Sequence, residues 1–459
     1  YGSKMIRIFE TVKDRFDPNA VLNPGKITRS PKMDERAITR WPKNYSPQTP
    51  DTVFDWNAWP GGLAGAVEMC NNNGACRKSV GGVMCPSFRV TGAEKDLTRG
   101  RANVLRLALT GQLGDDAFAS NDMADAMALC VGCKACKSEC PMSIDMAKMK
   151  TEVQSARAAK YGVPMREKLI AALPRMAPIA STFSPLSNFA LKFGYLFGFD
   201  KTRRLPDFQK PYSGPEGGDV LLFADTFNRH FDPETLRAAE RVIGATGKTV
   251  GVISAPGRPL CCGRTHLSTG QTDRAKQELQ RTIDAFRAVL DAGKTIVGLE
   301  PSCTLMFRDE AVNLIPEWTE AHGAQILTFA EYIMQNPPAG LDMSVLDVLV
   351  HGHCHQKAMG VAQYTVDAVK SVLGANAQMI DSSCCGMAGS FGYQVETAEV
   401  SRQMAELSLA PTVRAAPTDT IVLADGFSCR CQIKDVTERK AMNLALLMDK
   451  ALQDDVTNY

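Results

Sequence analysis

Seven of the fifteen cysteines fall between Cys70 and Cys140, in two groups that each end in Cys-Pro. The second group reads Cys130-x2-Cys133-x2-Cys136-x3-Cys140-Pro141. A cubane iron–sulfur cluster needs four soft thiolates converging on it, and this is the spacing of bacterial-type iron–sulfur runs. Three thiolates come from one tight loop. In proteins with two such clusters the fourth belongs to the other group's Cys-Pro. Applied here, Cys130, Cys133 and Cys136 pair with Cys85 to bind one [4Fe-4S] cluster. The remaining set is Cys70, Cys76 and Cys140, with Asn73 where the spacing calls for a further cysteine. An amide is a poor donor to iron beside sulfide. Three readings stay open for that set: a three-iron cluster, a four-iron cluster with an unusual fourth ligand, or structural cysteines near a single cluster. Arg77, Lys78, Lys134 and Lys137 place positive charge nearby, which would ease reduction, although Lys78 and Lys137 also read as surface lysines.

A second kind of cysteine pattern occurs twice. Cys261-Cys262-Gly263 aligns with Cys384-Cys385-Gly386, and Pro301-Ser302-Cys303 aligns with Phe427-Ser428-Cys429. Val220-Leu-Leu-Phe-Ala-Asp-Thr226 aligns with Val348-Leu-Val-His-Gly-His-Cys354, so the segment is an internal repeat. Adjacent cysteines at matched places in a repeat point to metal or cofactor contact. The second copy offers Cys354, Cys384, Cys385 and Cys429, with Cys431 close behind and His353 and His355 flanking Cys354. Four thiolates make an additional metal or cluster site. The first copy has Thr226 in place of Cys354, leaving Cys261, Cys262 and Cys303, and reads as degraded. A hydrolase built on Cys354 and His355 is disfavoured, because nothing marks an orienting carboxylate and further thiols share the site.

These groups need scaffolds. Residues 1–30 read as a helix and a turn, 31–62 as an irregular connector carrying Trp41, Trp56 and Trp59, and 63–170 as a small helical iron–sulfur domain. Tryptophans in such a connector pin it onto a neighbouring domain. Residues 171–215 form a bridge with an apolar face of Leu186, Phe189, Ala190 and Phe193. Such a stripe reads first as core or interface, and it is also the best place in the chain for a quinone or bilayer to touch. Residues 216–340 and 341–459 are the two repeats, each alternating β-like runs with amphipathic helical stretches. The expected fold class is α+β multidomain: a helical ferredoxin-like iron–sulfur domain followed by a duplicated α/β cysteine-rich domain.

The totals narrow the function. A chain of 459 residues holds two or three domains. Its net charge of +2 supplies no long-range field for nucleic acid. Fifteen cysteines in a chain this long, many in Cys-x2-Cys or Cys-Cys form, point to metal ligands in a reducing compartment. A cytoplasmic location follows as the expectation, with attachment to the inner face of a membrane left open. No apolar run reaches 18 residues, so no transmembrane helix is expected. Tyr1-Gly-Ser-Lys-Met enters directly into an amphipathic pattern, as though the chain began inside a domain.

The sequence also resembles a known family. Phe16-Asp17-Pro18 and Asn23-Pro24-Gly25-Lys26 resemble the end of the C-terminal domain of FAD-linked oxidases that act on D-2-hydroxy acids. The segments Glu68 to Lys78, Met84 to Ser87 and Thr98 to Asn103 are similar to the iron–sulfur region fused to those flavoproteins. Asp225-Thr226-Phe227, Cys261 to Arg264, His353 to Lys357 and Gly426 to Arg430 resemble their cysteine-rich (CCG) domains, related to those of glycolate oxidase, anaerobic glycerol-3-phosphate dehydrogenase and heterodisulfide reductase. The resemblance implies a long fused enzyme. Its FAD domain would precede this chain, and electrons would leave the flavin for a quinone or a soluble acceptor. D-Lactate, D-2-hydroxyglutarate and glycolate are the implied substrates. A separate iron–sulfur subunit and a zinc-bound scaffold are the rival readings, and a homo-oligomer is open.

Overall fold

The computed structural model describes residues 1–38 and 45–453. Trp41, one of the three connector tryptophans, lies outside the described residues. Residues 1–48 and 49–459 are two compact units.

The first unit carries the helix Gly2–Phe16, closed by a turn organised on Asp17. The Asp17 carboxylate accepts the Val21 and Leu22 N–H groups, both at 2.9 Å. Asn23 and Gly25 take positive φ in the following turn.

The second unit begins with a helical region. Leu63–Glu68, Pro86–Thr91, Thr98–Leu109 and Met146–Tyr161 are its main helices, and Leu97, Leu105, Met123, Met127 and Met149 fill their common core. The connector is tied to this core by a buried carboxylate. Glu152 accepts Val53 N–H (2.7 Å), Phe54 N–H (2.9 Å) and Trp56 Nε1–H (2.8 Å). Trp56 and Trp59 pack ring to ring at 5.7 Å, so the described tryptophans do pin the connector. The long helix Met165–Thr182 follows, containing Pro174 and Pro178, and runs across residue 170.

Two four-stranded parallel sheets complete the unit. The first contains β1 (Val220–Phe223), β2 (Val250–Val252), β3 (Thr295–Gly298) and β4 (Ile326–Thr328), in the order β2-β1-β3-β4. The second contains β5 (Asp347–Val350), β6 (Asn376–Met379), β7 (Ile421–Leu423) and β8 (Ala441–Met442), in the order β6-β5-β7-β8. The order repeats, and so does the register: Val220 pairs with Val250 and Thr295, and Val348 pairs with Ala377 and Ile421. β1 is buried along its whole length, as expected of a central strand covered by helices on both faces. The fold is therefore a mostly helical region followed by two α/β repeats.

Candidate metal centres

Both sheets reverse their order at the first strand, which opens a crevice at the strands' carboxyl ends. All the repeat cysteines except Cys431 emerge just there. Cys261 and Cys262 follow β2, Cys303 follows β3, Cys354 follows β5, Cys384 and Cys385 follow β6, and Cys429 follows β7. Thr226, buried at the start of helix Thr226–His230, occupies the place of Cys354 in the first repeat.

In the second repeat the thiols form a continuous row. Cys354 contacts Cys384, Cys384 contacts Cys385, and Cys385 contacts Cys429, all four buried and none in a disulfide. The Cys384 contact and then burial hold the Cys354 pKa well above that of a free thiol. His351 joins this group: ligand atoms of His351, Cys385 and Cys429 lie within 4.8 Å of one another. Its Nδ1 is 3.0 Å from Ser382 Oγ, and its buried Nε2 has no partner among the described residues. Clustered buried sulfurs with an orphaned imidazole nitrogen fit a soft metal or cluster. His351 was overlooked in the sequence, although it stands in the repeat-aligned run His351-Gly-His-Cys354. His353 instead caps a helix, its Nδ1 accepting the His355 N–H at 3.1 Å. The first repeat keeps Cys262 Sγ and Cys303 Sγ at 3.1 Å, with Asp225 and Glu300 as acidic neighbours of Cys303.

The helical region brings a second group of thiols together. Cys85 caps the helix Pro86–Thr91, where Pro86 suits the first helical position, and its Sγ lies 3.1 Å from Thr98 Oγ1. Burial pushes the Cys85 pKa to about 11, against the Thr98 hydrogen bond and the Arg101 charge. Cys130 and Cys136 are its electrostatic neighbours. Cys133 interacts with Cys354, Cys136 and Cys85, and burial holds it and Cys136 well above the usual thiol range. The tight loop needs Gly132 and Lys134 in left-handed conformation, with φ of 60° and 63°. Cys85, Cys133 and Cys136 are buried thiols that resist ionisation without a cation beside them, and that is the environment a cluster satisfies. Cys133 has Cys354 and Cys384 among its electrostatic neighbours, so the two thiol groups adjoin.

Cys70 and Cys76 are buried neighbours facing Arg99. Cys140 is half-buried at the end of helix Ala135–Glu139, its N–H donating to Cys136 O at 3.3 Å. Asn73 is committed to its own turn: its Oδ1 accepts the Ala75 N–H (2.8 Å) and its Nδ2 donates to Asn71 Oδ1 (2.6 Å).

Lysines near the loop are drawn into ion pairs, although Lys137 is exposed as expected of a surface lysine. Lys134 is 3% exposed, with Nζ 2.7 Å from Asp309 and 2.6 Å from Glu310. Lys148 and Lys137 reach Asp309 at 3.0 and 2.9 Å, so Lys137 is no free surface lysine. Arg264 pairs with Glu310. Burial alone would raise the Asp309 pKa, but Lys134, Lys148 and Lys137 hold it well below the carboxylate range. The positive charge beside the thiols is therefore compensated by the first repeat.

Comparison with known proteins agrees with this arrangement. Residues 66–144 match the family model described as a 4Fe-4S dicluster domain, and 224–308 and 348–434 each match the one described as a cysteine-rich domain. D-2-hydroxyglutarate dehydrogenase of Pseudomonas putida is 26% identical over 96% of this chain and 48% of its own length. The chain is a C-terminal iron–sulfur/CCG electron-transfer module, homologous to members of the FAD-linked 2-hydroxy-acid dehydrogenase family. One subunit of the anaerobic glycerol-3-phosphate dehydrogenase of Escherichia coli is 24% identical over 65% of the module and 81% of its own length. Lactate utilization protein A of Bacillus cereus is 23% identical over 46% and 86%. The module spans about half the length of the curated D-2-hydroxyglutarate dehydrogenases it matches. Among the described residues, no helix of the module is long and apolar enough to cross a membrane.

Proposed function

We propose that the module is the electron-transfer half of an FAD- and iron–sulfur-dependent D-2-hydroxy-acid dehydrogenase, passing electrons from reduced flavin to a quinone or another acceptor. In this reading Cys85, Cys130, Cys133 and Cys136 hold a [4Fe-4S] cluster, and Cys70, Cys76 and Cys140 serve the second site of the dicluster domain. Cys354, Cys384, Cys385 and Cys429 hold a further metal or cluster, with His351 beside them. Such clusters supply one-electron transfer when bound. The protein's own part is to exclude water from the sulfurs, fix their spacing and compensate nearby charge. Residues 1–30 belong to the end of the flavin half, 31–62 connect, 63–170 and 171–215 form the helical region and its bridge, and 216–340 and 341–459 are the repeats.

One observation carries the reading: buried, unpaired thiols from distant parts of the chain adjoin in a single core that runs from Cys85 to Cys384. Anaerobic analysis of the full-length protein should find iron, sulfide and flavin near stoichiometry. Cys133→Ser should abolish the brown chromophore and leave substrate-reduced flavin unable to reoxidise. Survival of both colour and reoxidation would overturn the assignment.

Fused and separate forms both align along most of the module: the D-2-hydroxyglutarate dehydrogenase of P. putida over 96% of it, and the probable glycolate oxidase iron-sulfur subunit of Bacillus subtilis over 83%. Intact mass of the native polypeptide decides, with about 100 kDa expected for fusion.

A further inference from the structure

Lys150 stands half-buried on the helix Met146–Tyr161. Its Nζ donates to the Cys130 carbonyl oxygen, at the head of the loop that also carries Cys133 and Cys136. It lines the same space as Cys130, Cys354 and Cys384, the space given above to the clusters. Among the described residues this ammonium makes no ion pair. Its acidic neighbour Glu167 is engaged elsewhere, 3.6 Å from Arg166 Nε and accepting Gln394 Nε2–H at 3.2 Å. The other cations near these thiols are accounted for. Lys134, Lys137 and Lys148 are held by Asp309. Arg101 lies 3.9 Å from Asp96 and donates to Ala126 O (2.9 Å) and Ser87 Oγ (3.1 Å). Lys150 therefore keeps its charge unshared beside Cys130.

We infer that Lys150 is a positioning residue for the cluster of Cys85, Cys130, Cys133 and Cys136: its hydrogen bond fixes the Cys130 backbone, and its charge raises the potential at which that cluster accepts an electron. The inference rests on the proposed function for the cluster itself. Four thiolates around iron and sulfide make an anionic centre, and reduction adds one more negative charge with no bond made or broken. A cation held beside one ligand favours the more negative state. An exposed lysine would be screened by water and salt, whereas this one is held by its helix and by the Cys130 carbonyl. Burial lowers the Lys150 pKa from its ordinary value, and ionisation of Cys130 opposes that. The electron comes from reduced flavin in the proposed function, so Lys150 acts to draw it off the flavin.

The test is a redox titration of anaerobically purified full-length protein, reduced stepwise with dithionite and read by electron paramagnetic resonance. The signal that Cys133→Ser removes identifies the cluster. Lys150→Met should make its reduction about tenfold less favourable, a fall of about 59 mV in midpoint potential for one electron. Lys150→Gln, which keeps an N–H donor without the charge, should give a similar fall. Lys150→Arg should restore the potential of the unsubstituted protein. A midpoint indifferent to Lys150→Met and Lys150→Gln, or lowered as far by Lys150→Arg, would overturn the inference. Loss of iron from Lys150→Gln and Lys150→Arg alike would also overturn it, leaving the lysine a structural tie alone. If Cys133→Ser removes no signal, the cluster assignment falls and the inference with it, whereas an unmoved midpoint sinks the inference alone.

Discussion

Lys134 stands between Cys133 and Cys136, where any side chain would lie close to the thiols. In sequence it is a charge; in the structure it is one end of a buried network with Asp309, Glu310 and Arg264. Breaking a buried ion pair from one side strands the other charge, which typically costs about 3–5 kcal/mol. Lys134→Met should therefore lower the denaturation midpoint strongly. Lys137→Met, removing a side chain that is 48% exposed, should cost about 1 kcal/mol or less. Chemical denaturation of the two variants under anaerobic conditions compares them, and equal losses would contradict the network. Nothing in the spacing of Cys133 and Cys136 announces Asp309 and Glu310, because they arrive from about 175 residues away.

Among the elements, Cys-Cys-Gly has a backbone reason for its third residue. Gly263 and Gly386 have φ of +77° and +89°, a region costly for residues with a Cβ. A Cβ would meet Ala275 O at 2.9 Å in the first repeat and Ser401 O at 2.4 Å in the second. Gly386→Ala should thus lower the melting temperature more than Gly263→Ala, and should lower metal content assigned to the second repeat. Differential scanning calorimetry with metal analysis compares them; the opposite ranking would refute the argument. Much at this scale was legible. The helical spacing of apolar residues from Leu97 to Leu109 matches helix Thr98–Leu109, and the amphipathic stretch Ala275 to Leu290 lies within helix Thr272–Asp291. Strand β6 was not legible, since Asn376-Ala-Gln-Met379 has no β-branched residue and owes its extension to pairing with β5. The bridge stripe does not pack into the core of this chain, for Leu186, Phe189 and Phe193 are exposed.

For the molecule as a whole, carboxylates link the repeats: Asp232 pairs with Arg430, Asp449 with Arg241, and Glu300 reaches the backbone of the second repeat. Glu300, at the end of β3's loop, accepts the Ser302 N–H at 3.3 Å and the Phe427 N–H at 2.7 Å. Phe427 opens the helix that carries Cys429. Glu300→Ala would leave that N–H without its acceptor, while the Arg430–Asp232 ion pair and the Phe227–Phe427 stack still hold the helix to the first repeat. Hydrogen exchange at the Phe427 and Ser428 amides should accelerate about tenfold, while β5 and β7 keep their protection. Unchanged exchange at Phe427 would show that Glu300 does not protect that amide.

Ligand type, duplication and the alternation of strand and helix were determined by the sequence alone, because thiol spacing, repeated motifs and hydrophobic periodicity are local properties of the chain. Tertiary structure decided which thiols adjoin, that His351 stands with Cys385 and Cys429, and that the lysine charge is neutralised. Those outcomes depend on contacts between segments far apart in the chain, and a contact of that kind leaves no periodicity at either end to be read.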